Sequence, residues 1–430
     1  MRKTWEHMSL TISERLSNLG IEFPEILIPK EGISFEKWAV IACDQFSSEP
    51  SYWAETRRLV GDAPSTLNLF VPECNLEDDD LNEQIAKTRE AMLELISNAV
   101  LMNLAPGFVL VDRSTLHVNR RLGLVLAIDL EAYDFSEDSR SLIRPTEGTI
   151  LKRLPPRMAV RRMAPLDLPH VIMLIDDPGN LAMNAARTAV RAAGKKIYDF
   201  DLMQNGGHIS GFHVEKDEAE PLVSAFEKLL DDSGLLFAVG DGNHSLASAR
   251  EVWLEKRATC PSNHPMRYGM VEVENIYDPG LEFHPIHRVM FDVQTDKLKT
   301  YLRKRLGAAI RPSTENKLSS NELEILDSEG VAERWRIGTP AGRLIVESLQ
   351  EALDSYLEFQ PEAYLDYIHG ENPVRELVAS GAGRRLGIIL PEIDKSAFFR
   401  RIVDVGVFPR KTFSIGEATE KRYYLETRRI

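Results

Sequence analysis

A short polar segment near the middle of the chain combines residue types that bind and activate phosphate. The apolar residues 237–239 lead into Gly240-Asp241-Gly242-Asn243-His244-Ser245, and residues 245–256 are then rich in helix formers. A strand that turns directly into a helix directs unpaired backbone N–H groups and the positive end of the helix dipole at an anion. This pattern predicts an anion-binding loop at residues 240–245.

Each side chain of this loop has a chemical role to offer. Gly242 permits close approach of the backbone, while Asn243 and Ser245 supply hydrogen bonds to phosphate. Asp241 can hold a metal ion or orient a hydroxyl, and His244 can bind or protonate a phosphoryl oxygen. The alternative is a helix cap, which needs only one such residue. The spacing and the missing lysine exclude a Walker loop.

A second cluster, at residues 144–153, is rich in cations within an acidic protein. Arg144, Lys152 and Arg153 belong to it, and three more arginines follow at positions 157, 161 and 162. Guanidinium groups form bidentate hydrogen bonds with phosphate, so the cluster predicts a positive wall around it. Glu147 lies inside the cluster as a base or metal ligand. For any single arginine, a solvated surface position is the alternative.

Asp44 follows the apolar run at residues 40–42, and a carboxylate at the end of a strand either lines an active site or caps a turn. We predict it as a candidate base. Cys43 is a nucleophile or a buried thiol, and the absence of a nearby histidine in the sequence favours the buried thiol.

Two further imidazoles are predicted to line the site. His208 follows Asn205-Gly206-Gly207, and His287 lies three residues after His284. That spacing suits a metal only on a helix, and the intervening proline disfavours one. The metal, if any, stays unknown at this stage.

The elements that must position these residues alternate irregularly, which predicts an α/β or α+β fold of mixed sheets with flanking helices. A helix is expected over residues 80–103 and antiparallel strands over 108–112 and 122–130. A hairpin is expected to join residues 198–203 to 208–214. We expect a main α/β domain at residues 1–294 and a smaller α+β region at 295–430 whose tail packs back on the main domain.

Composition narrows the possible functions. The 430 residues carry 52 lysines and arginines against 66 aspartates and glutamates, a net charge of -14, which disfavours nucleic-acid binding. Three separated cysteines argue against a disulfide framework and a structural zinc site. Without a signal-like or membrane-sized apolar stretch, we expect a cytoplasmic protein with no membrane partner, and its oligomeric state is left open.

Several of these segments together resemble a bacterial family, domain of unknown function 1015. They are residues 38–45, 61–68, 144–153, 205–209, 239–249 and 413–418. The loop at residues 241–245 is similar to an Asp-Gly-His-His-Arg phosphate loop of the ParB/sulfiredoxin-like superfamily, which includes free-serine kinases. The resemblance implies a ParB/sulfiredoxin-like core and phosphoryl transfer involving serine or phosphoserine.

This chain departs from that motif at two positions. Asn243 stands in place of the first histidine, and Ser245 stands in place of the arginine. Serine cannot offer the bidentate fork of arginine, so another cation must substitute or the donor must differ. Arg144, Arg153 and Arg288 are the candidates.

The leading hypothesis is a small-molecule phosphotransferase acting on a small anionic metabolite. It would phosphorylate free L-serine with a nucleotide (ATP or ADP) or pyrophosphate as donor, and Mg²⁺ is expected as cofactor. Asp44 or Glu147 would accept the hydroxyl proton. A phosphoserine phosphatase and a non-catalytic module that senses a nucleotide or phosphometabolite remain alternatives. Sulfiredoxin-like repair is disfavoured because no cysteine adjoins the loop.

Overall fold

The computed structural model describes residues 10–47, 49–136, 138–311, 317–327, 332–338, 340, 343–381 and 383–430. Contacts between residues divide the chain into two compact units, Met1–Leu281 with Glu417–Ile430, and Glu282–Gly416. The boundary expected after residue 294 lies inside the second unit. The second unit begins before that position, since the strand Phe283–Phe291 is already part of it.

The first unit contains most of the strands and two thirds of the helices that the described residues form. Its helices are α1 Ile12–Asn18, α2 Phe35–Trp38, α3 Pro50–Val60, α4 Leu81–Ser97, α5 Leu154–Met163, α6 Leu181–Ala193, α7 Glu220–Leu229 and α8 Asn243–Lys256. Its strands are β1 Ile21–Glu22, β2 Leu27–Pro29, β3 Val40–Ile41, β4 Leu101–Asn103, β5 Gly107–Ser114, β6 Arg121–Asp129, β7 Ile143–Pro145, β8 Leu166–Asp167, β9 Ile172–Ile175, β10 Lys195–Leu202, β11 Gly207–Glu215, β12 Phe237–Asp241 and β13 Tyr268–Asn275, with β21 Tyr423–Tyr424 and β22 Arg428–Arg429 near the C-terminus.

A nine-stranded mixed sheet organises this unit, in the order β10-β11-β5-β6-β13-β9-β12-β7, with β1 paired to β6. Both of its faces are covered. Along β6, Leu124, Leu126 and Ile128 belong to one apolar core, whereas Val125 belongs to a second core. Alternate side chains of a strand point to opposite faces, so burial on both faces explains the continuous apolar run of β6.

Local sequence patterns predicted much of this unit correctly. The antiparallel pairs β5–β6 and β10–β11 form as expected. The long helix ends earlier than expected, at Ser97 instead of residue 103. Ala99 has a positive φ of 50°, and Leu101–Asn103 instead pairs with β2. The predicted mixed α/β architecture is confirmed, and the ParB/sulfiredoxin-like core stays a prediction.

The second unit is a smaller antiparallel α+β structure. Its helices are α9 Thr295–Leu306, α10 Ile345–Leu357, α11 Glu371–Ala379 and α12 Lys395–Asp404. Its strands are β14 Phe283–Phe291, β15 Ala309–Arg311, β16 Glu322–Leu326, β17 Ala332–Arg336, β18 Tyr364–His369, β19 Arg385–Ile389 and β20 Phe413–Ile415. They form one sheet in the order β15-β17-β16-β19-β14-β18, with β20 paired to β14.

The described helices include none that is both long and apolar enough to cross a membrane.

Candidate functional site

The predicted strand–loop–helix unit is present at the carboxyl end of β12, a strand of the large sheet. Strand β12 ends at Asp241, Gly242 occupies the N-cap position with a φ of 80°, and α8 begins at Asn243. A Cβ on Gly242 would lie 3.0 Å from Cγ2 of Val171 and 3.1 Å from its Cα. Glycine therefore suits this turn both in φ and in space. Since Asn243 and Ser245 lie inside the first helical turn, neither is the cap residue.

Residues 146–149, Thr-Glu-Gly-Thr, lie directly beside this turn. Strand β7 runs parallel to β12, and the Thr146 hydroxyl donates to the Val239 carbonyl over 2.7 Å. Asn243 Nδ2 donates to the Glu147 carbonyl oxygen over 3.4 Å. Parallel neighbouring strands place their carboxyl ends at one edge of a sheet, so two motifs distant in sequence share one site.

His244 connects the N-terminus of α8 to the loop at residues 146–150. Its Nε2 accepts a hydrogen bond from the Ile150 N–H over 3.1 Å, so a neutral His244 carries its proton on Nδ1. The imidazole therefore orients the loop at residues 146–150 against α8. Its predicted proton transfer to a phosphoryl oxygen stays a prediction.

Asp44 lies three residues after β3, and the charge of Asp241 acts on its carboxylate. Burial raises the pKa of Asp44; the positive charge of His170 opposes this, and the charge of Asp241 adds to it. Burial acts on Asp241 in the same direction, but Lys421, His170 and the Gly242 N–H together hold its pKa below the ordinary value. Two aspartates in one site thus have pKa values shifted in opposite directions.

Lys421 was missed by the sequence analysis. Its Nζ lies 3.0 Å from Asp241 Oδ2, with only 11% of the lysine side chain and 26% of the aspartate side chain exposed. The C-terminal segment brings it there, because β21 pairs with β3 and the Ala42 N–H donates to the Arg422 carbonyl. No local pattern around Lys421 indicates this contact.

His170 was missed as well, although its position carried a signal. It precedes the buried strand β9, whose first residue, Ile172, pairs with Asp241. His170 Nδ1 lies 3.0 Å from the Tyr424 hydroxyl, and its buried Nε2 has no hydrogen-bond partner among the described residues. A histidine just before a buried strand next to β12 was the available clue.

Arg144, the first cation of the 144–153 segment, bonds away from the loop. Arg144 is buried and donates to the backbone carbonyls of Ser141 and Ser233, which lie at the opposite, amino-terminal end of β7 and β12. Lys152 and Arg153 follow Ile150 and are exposed. The structure therefore brings Glu147, but not Arg144, to the loop.

His208 lies on a strand of the same unit that is not adjacent to β12. It is exposed on β11 and contacts the Asp199 and Asp201 carboxylates at 2.9 and 2.7 Å. In the order of the sheet, four strands, β5, β6, β13 and β9, lie between β11 and β12. The sequence motif around His208 is a tight hairpin turn in the structure.

His287 and Arg288 belong to the second unit and make structural contacts there. Burial lowers the pKa of His287 to about 4, and its Nδ1 accepts from the Leu390 N–H over 3.1 Å. Arg288 is fully buried and donates to the carbonyl oxygens of Ile286 and Lys411. Their predicted part in a phosphate site stays a prediction.

The Mg²⁺ ion expected from the sequence has one candidate ligand at the loop, the Asp241 carboxylate. The part of the chain that the structure describes has no group of three His, Cys, Asp or Glu side chains arranged for a metal. Mg²⁺, however, needs only one or two carboxylates and completes its shell with water and phosphate oxygens. The Asp241 carboxylate, beside the N-terminus of α8, fits that requirement.

Fold and site together define a mixed α/β protein in which a glycine turn joins β12 to the N-terminus of α8, with two mutually interacting aspartates, Asp44 and Asp241. The chain belongs to the family described as Protein of unknown function (DUF1015), whose model matches residues 27–356. This confirms the family predicted from the sequence. No curated protein matches the sequence.

Three solved structures are among those similar to this chain. A free serine kinase mutant in complex with AMP is 11% identical, with a TM-score of 0.40 over 70% of this chain and 90% of that one. A free serine kinase mutant in complex with ADP is 12% identical, with a TM-score of 0.39 over 70% and 91%. A conserved hypothetical protein from Pyrococcus furiosus is 10% identical, with a TM-score of 0.36 over 71% and 94%.

Proposed function

We propose that this protein is a small-molecule phosphotransferase that phosphorylates free L-serine, with ATP, ADP or pyrophosphate as donor and Mg²⁺ as cofactor. The observation that supports the proposal is the electrostatic interaction of Asp44 with Asp241, which directly precedes the Gly242 cap of α8, and the opposite shifts of their pKa values. One carboxylate is tuned to accept a proton and the other to stay ionised beside a cation. Two carboxylates with pKa values shifted apart are typical of an acid–base site.

Asp44 is the proposed base. A raised pKa makes a carboxylate a better proton acceptor near neutral pH, because base strength rises with pKa. The serine hydroxyl oxygen forms a bond to the terminal phosphorus of the donor while its proton passes to Asp44. The bond between that phosphorus and the bridging oxygen of the donor breaks, which leaves the shortened donor as product.

The remaining residues of the site hold the transferred phosphoryl group. The first-turn N–H groups of α8 and the Lys421 ammonium direct positive charge at its oxygens, which is the main source of catalysis in phosphoryl transfer. Bound to Asp241 and the phosphate oxygens, Mg²⁺ would neutralise charge on the donor. Lys421 takes the part of the missing loop arginine, as a point charge instead of a fork.

Phosphorus NMR tests the proposal directly. Purified protein is incubated with L-serine and Mg²⁺, and ATP, ADP and pyrophosphate are each supplied in a separate tube. A new phosphomonoester resonance is expected with one donor. Parallel tubes start from phosphoserine and contain no phosphoryl donor. Release of inorganic phosphate in these tubes would indicate a phosphatase instead.

Silence in every tube from protein shown to be folded by circular dichroism would overturn the proposal. Binding of AMP or ADP without turnover would then favour a sensing module. Repeating the active tube with Glu147→Gln asks whether the second carboxylate predicted from the sequence contributes.

A further inference from the structure

A cavity of about 140 Å³ opens beside the site, within the first unit. Most of its wall is apolar, with Phe70, Met92 and Leu166 among the lining residues. Its polar and charged lining consists of Cys43, Glu73, Arg157, Arg161, Asp167, His170, Ser245, Ser248 and Tyr424. An apolar pocket with a few placed polar groups is the usual form of a small-molecule site.

Two buried nitrogen atoms on this wall lack hydrogen-bond partners among the described residues. They are Arg161 Nη2 and His170 Nε2. Arg161 is held in place through its other nitrogen, Nη1, which forms an ion pair with the buried Asp167. A buried donor without a partner is costly, and nearly all such atoms in proteins are satisfied by protein, water or a ligand. Arg161 therefore presents a positioned N–H to an anion.

An ion pair lies on the wall near Asp44. Glu73 Oε1 lies 2.5 Å from Arg157 Nη2, with 28% and 13% of the two side chains exposed. The Glu73 N–H donates to the Cys43 carbonyl over 2.8 Å, which fixes Glu73 next to the residue that precedes Asp44. The negative charge of Glu73 also helps to raise the pKa of Asp44, after burial and Asp241. A carboxylate paired with Arg157 is thus fixed next to Cys43 on this wall.

We propose that this cavity binds the acceptor as an α-amino acid zwitterion, with Arg161 Nη2 binding its carboxylate and Glu73 its ammonium. The inference rests on the proposed function for one point only, that the hydroxyl is directed at Asp44. His170, between the cavity and both aspartates, faces the hydroxyl end. The apolar wall excludes longer polar side chains, so the acceptor is a small hydroxy amino acid.

Binding is measured separately from turnover by isothermal titration calorimetry, in the absence of a phosphoryl donor and again with AMP present. Three ligands are compared: L-serine, ethanolamine, which lacks the carboxylate, and 3-hydroxypropionate, which lacks the ammonium. The affinity for L-serine is expected to be at least about tenfold higher than that for either analogue, since each analogue loses a hydrogen bond to a charged group.

Arg161→Lys tests the carboxylate contact while keeping a cation beside Asp167. L-serine affinity should fall about tenfold or more, because lysine has no second N–H in the fork geometry. Arg162→Lys is the matched control: Arg162 is adjacent, 39% exposed and paired with Glu255, so its change should leave affinity within about twofold. Glu73→Gln should weaken L-serine but not 3-hydroxypropionate.

Equal serine affinity in Arg161→Lys and wild type would overturn the inference, and so would ethanolamine binding as tightly as serine, or no serine binding by folded protein. The proposed function fails separately. Phosphorylation of serine with an unchanged KM in Arg161→Lys would retain the function and reject this site. Serine binding that depends on Arg161, without turnover from any donor, would retain the site and reject the function.

Discussion

Asp44 and Asp241 are residues of the same type, and the charge of Asp241 acts on Asp44, yet their surroundings shift their pKa values in opposite directions. The difference comes from what each carboxylate contacts. Asp241 accepts from the Gly242 N–H over 2.9 Å and pairs with Lys421, whereas Asp44 accepts from the side-chain amide of Gln45 over 3.0 Å. A cation at 3.0 Å favours the charged form far more than a neutral amide does. Roles at the residue scale follow from these contacts.

Replacing Asp44 tests its role as the base. Asp44→Asn should lower kcat about 100-fold or more, because the amide cannot accept the hydroxyl proton. Wild-type activity should fall as the pH drops through the raised pKa of Asp44, above the ordinary aspartate value of about 3.9. Steady-state rates across pH measure both. Asp62→Asn, at an exposed position, is the control, and an equal loss in both variants would contradict the assignment.

Lys421→Met removes the cation that lowers the pKa of Asp241. A group with a lowered folded-state pKa stabilises the fold above its unfolded pKa, and this stability is lost as the pH falls through the folded value. The variant should therefore be less stable than wild type by about 1 kcal/mol at neutral pH, with a smaller difference in acid. Urea unfolding at both pH values measures this. Lys37→Met, at an exposed position, should show no such pH dependence.

At the scale of elements, the turn from β12 into α8 is the feature on which the site depends. The turn places the N-terminus of α8 at the end of the sheet where the parallel strand β7 also ends. His244 holds the loop at residues 146–150 against this helix. Gly242 makes the turn possible in two ways, by its φ of 80° and by the lack of a Cβ against Val171. These two contributions can be separated by mutation.

Gly242→Ala and Gly234→Ala form a matched pair. Both glycines have a positive φ, 80° and 68°, so each alanine should cost roughly 1–2 kcal/mol of unfolding free energy. Only Gly242 is crowded, since the closest atom to a Cβ on Gly234 is 4.0 Å away. Gly242→Ala should therefore lose about 1 kcal/mol more, together with phosphotransfer activity. Similar stability and activity in the two variants would refute the importance of this close approach.

At the scale of the whole molecule, the C-terminal segment completes the first unit. Three backbone carbonyls of this segment, those of residues 419–421, accept hydrogen bonds from the buried Arg113. Arg422 is 2% exposed and pairs with Glu272 of β13, 2.8 Å from Nη1 to Oε2, and with Glu426. These contacts hold Lys421 beside Asp241. The C-terminal segment therefore contributes both to the stability of the first unit and to the position of Lys421.

Arg422→Met should destabilise the protein strongly. It leaves Glu272 and Glu426 buried without their cation, and breaking a buried pair in this way typically costs about 3–5 kcal/mol. Denaturant unfolding followed by circular dichroism gives the free energy. The exposed Arg429, in the same segment, supplies the control Arg429→Met, which should change it by less than about 0.5 kcal/mol. A small loss for Arg422→Met would show that the segment is not needed for stability.

Sequence alone was sufficient where the governing interactions are local. The β12–Gly242–α8 unit and the β10–β11 hairpin are set by residues a few positions apart, through strand patterning, a glycine turn and helix propensity. Asp44, Glu147 and Asp241 were identified as candidates because each follows or adjoins such a recognisable element. Their assignment to one site was a hypothesis that spacing in the sequence could not test.

Only the tertiary structure decided which charged groups meet. Lys421 reaches Asp241 because β21 pairs with β3, a long-range contact with no local signature. Arg144 turns to the far end of its strand, and His208 lies five strands away from the loop, although sequence motifs favoured both. The physical reason is that strand order and side-chain direction depend on burial across the whole sheet. Charge and residue type, by contrast, can be read at each position separately.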